Sequence, residues 1–121
     1  MGNWICLAME LEAASPEGFG EAAVEALAEA LADFFNVSLP GRLEHRYSPQ
    51  GLSFVRHGAK GRLALHTWPE LNVATLDFWA PQDILLDRVE TLSDWFAKRG
   101  RHRVVSARLH PHPRGPAEMA D

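Results

Sequence analysis

Three clusters of turn-forming residues, Ser48-Pro49-Gln50-Gly51, Gly58-Ala59-Lys60-Gly61 and Pro69-Glu70-Leu71-Asn72, cut residues 42–80 into four short runs. Each cluster holds the Gly, Pro or Asn that a chain reversal requires. The runs between them, about Leu43 to Tyr47, Leu52 to His57, Arg62 to Trp68 and Val73 to Trp79, are too short for helices and predict four strands joined by tight connections. Residues 4 to 12 predict a further strand, with Ile5, Leu7, Met9 and Leu11 alternating against Cys6, Ala8, Glu10 and Glu12. From about Glu21 to Phe35 the period changes: Val24, Leu27, Leu31, Phe34 and Phe35 recur at helical spacing, while Glu21, Glu25, Glu29 and Asp33 stand four apart on another face. Pro81 to Arg99 predicts a second helix through Leu85, Val89, Leu92 and Phe96, with Pro81 near its first turn and Gly100 as its cap. A last strand is expected over about His102 to Leu109.

The order β-α-β-β-β-β-α-β, with helices segregated from hairpin-linked strands, implies an α+β two-layer sandwich in which both helices cover one face of a mostly antiparallel sheet. One domain spans residues 1–109. Residues 110–121, with prolines at 111, 113 and 116, are expected to be an extended or disordered tail. Trp4, Trp68, Trp79, Phe54 and Phe78 are many large apolar groups for so small a sheet, so a homodimer that buries the second face is expected.

Composition narrows function mainly by exclusion. Of 121 residues, 12 are Lys or Arg and 16 Asp or Glu, for a net charge of −4, so no global field draws the chain onto nucleic acid or anionic lipid. Cys6 is the sole cysteine; it can close no internal disulfide and supplies no structural zinc site. No stretch of 18 apolar residues and no basic, apolar leader is present, which argues against membrane insertion and secretion and for the cytoplasm. His110 and His112 have a chelating i, i+2 spacing, but no third ligand is near in the chain, and no metal is expected.

The string His66-Thr67-Trp68-Pro69-Glu70 resembles the signature of the bacterial, pyruvoyl-dependent S-adenosylmethionine decarboxylases, which make the aminopropyl donor for spermidine synthesis. His45-Arg46-Tyr47, Pro49, Gly51, Ser53, Leu63, Ala74 and Asp77 fall in the same register without a gap, so the resemblance covers roughly residues 42 to 109. It implies that Ser53 and His66 stand where the family has a pair that assists self-processing. It likewise implies that Tyr47 stands where an aromatic ring stacks on adenine, that Trp68 belongs to the ligand site, and that Glu70 can accept hydrogen bonds from ribose hydroxyls.

Two family positions depart from the pattern. The family's Glu-Ser-His processing triplet is Lys60-Gly61-Arg62 here, so Gly61 replaces the serine whose hydroxyl attacks the preceding carbonyl to yield the pyruvoyl group. The cysteine taken as a general acid, four residues after the aspartate matched by Asp77, is Pro81. No pyruvoyl cofactor is therefore expected, and Cys6, apolar-flanked, is expected to be an inert packing residue. Two functions remain. The chain is a pseudoenzyme tied to polyamine metabolism that binds S-adenosylmethionine or a related adenosyl compound, or partners an active decarboxylase as a heteromer. Alternatively it is an enzyme on such compounds by pyruvoyl-independent chemistry, such as a lyase. The residues themselves leave simpler roles open: His66 as a structural histidine bonded across the sheet, Glu70 as a turn stabiliser, Tyr47 as core or dimer contact. The basic cluster Arg56, His57, Lys60 and Arg62 has the same two readings, solvated surface or anion site.

Overall fold

A computed structural model describes residues 3–112. One antiparallel sheet is formed by β1 (Trp4–Ala13), β2 (Gly41–Arg46), β3 (Leu52–Gly58), β4 (Gly61–Trp68), β5 (Val73–Pro81) and β6 (His102–His112). Their order is β2-β3-β4-β5-β1-β6, so the first strand is inserted between the fifth and the sixth. The period-two pattern of β1 decides which side is which: Ile5, Leu7, Met9 and Leu11 are buried beneath the helices, in register with Ala80, Phe78, Leu76 and Ala74 of β5. Leu63 and Leu65 of β4 and Leu52 and Phe54 of β3 continue the same layer. Each fully buried Leu, Ile, Met or Phe side chain of this layer contributes about 1.5–3 kcal/mol.

Helix α1 (Glu21–Phe34) closes this layer with Val24, Leu27, Ala28 and Leu31. Its acidic stripe is docked rather than solvated. Glu21 pairs with Arg46, Glu25 with Arg42 at 2.6 Å, and Glu29 with Arg56 at 2.8 Å, three carboxylates one turn apart meeting three arginines of β2 and β3. The Glu25 and Glu44 carboxylates hold the Arg42 guanidinium above its usual pKa, and Arg42 in turn lowers that of Glu44. Exposed pairs of this kind stabilise weakly, so their main effect is to set how α1 lies on the sheet.

The second helix differs from the sequence expectation. Pro81 ends β5 and caps α2 (Gln82–Leu86); a 3-10 turn at Val89–Thr91 intervenes before α3 (Leu92–Arg99). The break has a local cause: the Thr91 hydroxyl donates to the Arg88 carbonyl at 3.0 Å, while the Arg88 and Thr91 amides bond three residues back. Leu85, Leu92 and Phe96 still reach the core, and Gly100 ends α3 in the left-handed conformation, φ 67°. The last strand also runs further than expected. His110–His112 pair with Cys6, Ile5 and Trp4, so the first three residues of the expected tail belong to the strand, and the rest of that expectation lies outside the described residues. Among the described residues no helix is long and apolar enough to cross a membrane.

Of the five large aromatics noted in the sequence, Phe54 and Phe78 are in the covered layer, each 1% exposed. Trp4, Trp68 and Trp79 have the parity of the opposite, uncovered face. Trp68 and Leu43 of that face are exposed.

His102, at the start of β6, is 5% exposed; its Nε2 donates to the Gly18 carbonyl at 2.7 Å and its ring stacks on Phe19. Because a carbonyl only accepts, the proton sits on Nε2, leaving Nδ1 a bare, unpartnered acceptor. Burial pushes the imidazole pKa below its ordinary value, and Arg99 and Arg101 add repulsion, against the opposing Gly18 bond. A depressed folded value means the unfolded chain takes up the proton first, so this stability is present above the ordinary histidine pKa of about 6.5 and lost as pH falls through the folded value. Urea unfolding midpoints are expected to drop between about pH 7 and pH 5. The His102→Gln variant, which keeps a donor for Gly18, flattens that profile; an unchanged profile would exclude His102 as its source.

Candidate functional site

The uncovered face carries a polar row across three strands, His45 of β2, Ser53 of β3 and His66 of β4, set side by side by the register. The Ser53 hydroxyl lies 2.7 Å from His66 Nδ1 and 3.0 Å from the Tyr47 hydroxyl, a continuous chain from a phenol through an alcohol to an imidazole. Tyr47 is half exposed and packs edge-on against His45, ring centroids 4.6 Å apart. It reaches this position from the turn after β2, where its amide donates to the Gly51 carbonyl at 2.9 Å. Gly51 must be glycine twice over: its φ is +111°, and a Cβ there would lie 3.3 Å from the Thr67 carbonyl.

The other wall follows from Thr67, buried on the helix side, whose hydroxyl accepts from the Leu52 amide at 3.0 Å and ties the end of β4 to the start of β3. Trp68 then falls on the open face, 41% exposed, its ring centroid 6.5 Å from that of His66. A 3-10 turn at Pro69–Leu71 presents Glu70, and Asn72 closes it in the left-handed conformation while its side-chain amide donates to the Ala13 carbonyl at 3.2 Å. Tyr47, Ser53, His66, Trp68 and Glu70 thus line one open cleft of about 420 Å³ together with Gln50, Gly51, Leu52 and Thr67. It offers two aromatic faces, a carboxylate, and a hydroxyl–imidazole pair able to pass a proton. All five residues singled out in the sequence meet here. Tyr47 is no core residue. His45 and Gln50 were missed, although the parity of His45 with Tyr47 was a usable signal.

Other sequence candidates lie elsewhere. The basic cluster is split by the pleat: Arg56 turns to the helix side, where its Nε donates to the Leu39 carbonyl at 2.9 Å, whereas His57 and Arg62 are neighbours on the open face. Cys6 is buried, and burial first and Asp77 second push its thiol pKa up to about 11, against a smaller opposing effect of Arg62, so it stays protonated. It sits two rows from Ser53 and His66. Among the described residues no group of three or more His, Cys, Asp or Glu could hold a metal ion.

The sequence profile of the S-adenosylmethionine decarboxylase family matches residues 6–107. The chain belongs to that family. Similar proteins include the S-adenosylmethionine decarboxylase proenzymes of Pseudomonas aeruginosa, 39% identical over 64 residues covering 51% of this chain and 39% of that protein, and of Acetivibrio thermocellus, 43% identical over 54 residues covering 45% and 40%. The aligned segments therefore span well under half of those relatives. The fold is that of the adenosylmethionine decarboxylase of Aquifex aeolicus, at a TM-score of 0.68 and 16% identity over 94% of this chain and 92% of that one.

A pyruvoyl group in this family comes from a side-chain hydroxyl, and the residue at the corresponding position does not fit that origin. Gly61 has no side chain. A Cβ built on it lies 2.9 Å from the Trp79 carbonyl oxygen and 3.2 Å from Phe78 Cε1, on the helix side of the sheet and opposite to Ser53 and His66. Pro81, where the resemblance leads one to expect a cysteine, pairs with Trp4 at the end of β5.

The half-buried Ser53–His66 bond carries a prediction of its own. Ser53→Ala should cost about 1 kcal/mol in unfolding free energy and change the ring-nitrogen NMR signals of His66. Unaltered His66 signals would show that the two side chains do not interact in solution.

Proposed function

We propose that this chain is an S-adenosylmethionine decarboxylase relative that does not cut itself and does not decarboxylate, and that it binds an adenosyl compound in the Tyr47–Trp68 cleft. The observation that carries the reading is Gly61. Position 61 lacks the hydroxyl that starts processing and also lacks the space for one, because the Trp79 carbonyl and the Phe78 ring close over it. The cleft supports the second half. Tyr47 and Trp68 supply faces on which a purine stacks, Glu70 an acceptor for ribose hydroxyls, and Ser53 with His66 further polar contacts. No step of a pyruvoyl reaction is assigned to these residues. The reading puts the protein in the cytoplasm and in polyamine metabolism as a pseudoenzyme. There it would act as an adenosyl-responsive partner of an active decarboxylase, or as a homodimer whose uncovered sheet faces meet through Leu43, Trp68 and Trp79.

The Tyr47–Ser53–His66 chain favours one alternative, an enzyme that cleaves a sulfonium substrate without a carbonyl cofactor, since a linked phenol, alcohol and imidazole can move a proton. Chromatography separates the two: formation of methylthioadenosine from S-adenosylmethionine above the spontaneous rate establishes the lyase, and its absence from a protein that binds the ligand leaves the binder.

Intact mass spectrometry of the purified protein is expected to show one uncut chain, and two fragments with a pyruvoyl-blocked end would overturn the proposal. Installing the missing hydroxyl alone should not restore cleavage. Gly61→Ser is expected to remain a single chain and to lose about 1–3 kcal/mol of stability from overpacking against Phe78 and the Trp79 carbonyl.

A further inference from the structure

Two buried leucines, Leu39 at 3% exposure and Leu52 at 5%, bracket a stretch of chain that buries nothing. Residues 40–51 comprise Pro40, the whole of β2 and the turn back into β3, and none of their side chains enters the apolar layer. β2 is also an edge strand, paired with β3 alone. Leu43 stands 63% exposed on the open face, while Arg42, Glu44 and Arg46 take the helix side, where charge holds them. Arg46 pairs with Glu21 and Arg42 with Glu25 of α1, Glu44 bridges the two arginines at 3.0 and 3.3 Å, and the Arg42 guanidinium lies 5.0 Å from the Phe54 ring centroid. Exposed pairs of this kind are each worth little and are screened by salt. Elements with few buried apolar contacts and solvent-exposed backbone hydrogen bonds open at a free energy below that of global unfolding. The two ends, by contrast, are fixed. The Leu39 carbonyl accepts from Arg56 Nε at 2.9 Å, and the Leu52 amide donates to the Thr67 hydroxyl at 3.0 Å.

We propose that residues 40–51 are a strap, hinged at Leu39 and Leu52 and latched to α1 through Glu21–Arg46 and Glu25–Arg42, whose release opens one wall of the cleft. The strap carries Tyr47, Gln50 and Gly51 of the cleft lining, whereas Ser53, His66, Thr67, Trp68 and Glu70 stand on β3, β4 and the turn after β4. The cleft thus has one fixed wall and one that moves. The Tyr47 and Ser53 hydroxyls, 3.0 Å apart, tie the two walls together, and release of the latch lifts the Tyr47 ring away and lets a molecule enter or leave. A weak latch suits this task, because a closed state held by a few exposed pairs is favoured yet readily left. The Glu29–Arg56 pair, 2.8 Å, lies outside the latch, since Arg56 belongs to β3, which the buried Leu52 and Phe54 anchor. The inference does not depend on which molecule occupies the cleft, so it stands or falls apart from the adenosyl reading.

Tyr47 is the only tyrosine of the chain, so fluorotyrosine labelling puts a single fluorine reporter in the strap. Amide hydrogen exchange read by NMR follows the strap's backbone in the same protein. Raising the salt from about 0.05 to about 0.5 M screens the exposed pairs. The β2 amides bonded to β3 are then expected to exchange about two- to tenfold faster while those of β4 and β5 are unchanged, and the Tyr47 fluorine signal to move in step toward that of a solvated ring. Glu21→Gln combined with Glu25→Gln should bring the same acceleration at low salt and blunt the response to added salt. Glu29→Gln, on the same helix, should leave β2 as in the wild type. Exchange in β2 that only follows that of β4 and β5, or that is indifferent to salt and to the double substitution, overturns the strap. A fluorine signal that stays fixed while the β2 amides open overturns its role as a wall of the cleft. Should the double variant fail to fold, the salt titration of the wild type decides the matter by itself.

Discussion

One-sided burial governs the rest of this molecule. A pleated strand sends alternate side chains to opposite faces, and all the helices lie on one of them, so each strand hands its Leu, Phe, Ile and Met to that layer and whatever alternates with them to the other. Slipping β4 by one residue would bring His66 under α1 and put Leu65 in water. The polar row His45–Ser53–His66 thus inherits its position from the core: burying Leu52, Phe54, Leu63 and Leu65 forces the residues between them onto the open face, in register.

The same constraint sets the surroundings of Gly61. Position 61 belongs to the covered layer, at the closed end of the β3–β4 hairpin where Gly58 and Gly61 are opposed. Here the chain packs tightly: a Cβ at Gly58 would meet the Ser38 carbonyl oxygen, and one at Gly61 the Trp79 carbonyl oxygen. The open face holds the aromatic and hydrogen-bonding cleft instead, with Tyr47, Ser53, His66, Trp68 and Glu70 along it. The cleft and position 61 lie on different faces of the sheet, so the packing that closes over Gly61 leaves the cleft open.

Much of this was legible in the chain. The turn clusters place the strands of the meander within a residue or two, and the i, i+4 glutamates of α1 mark a face that proves to be ion-paired rather than solvated. The residues that the family string singles out, Tyr47, Ser53, His66, Trp68 and Glu70, do lie together along one cleft. Less visible were features that depend on partners distant in sequence. The split of the basic cluster follows from Leu39 and Glu29 claiming Arg56, the extension of β6 to His112 from its pairing with β1, and the break before α3 from a hydroxyl competing for the Arg88 carbonyl.

By itself the sequence determined the alternation, the turns, the two helical periods and the absence of a hydroxyl at position 61 and of a thiol at position 81, because each is a property of residues near one another in the chain. The tertiary structure alone decided that β1 lies between β5 and β6, and so that Cys6 and Asp77 share a face with Arg62. It also decided that a Tyr–Ser–His chain closes to hydrogen-bonding distance and that any side chain at position 61 would crowd the Trp79 carbonyl and the Phe78 ring. The physical reason is the same throughout: strand order and cross-strand register are set by how the whole apolar layer packs under the helices, which no local pattern encodes.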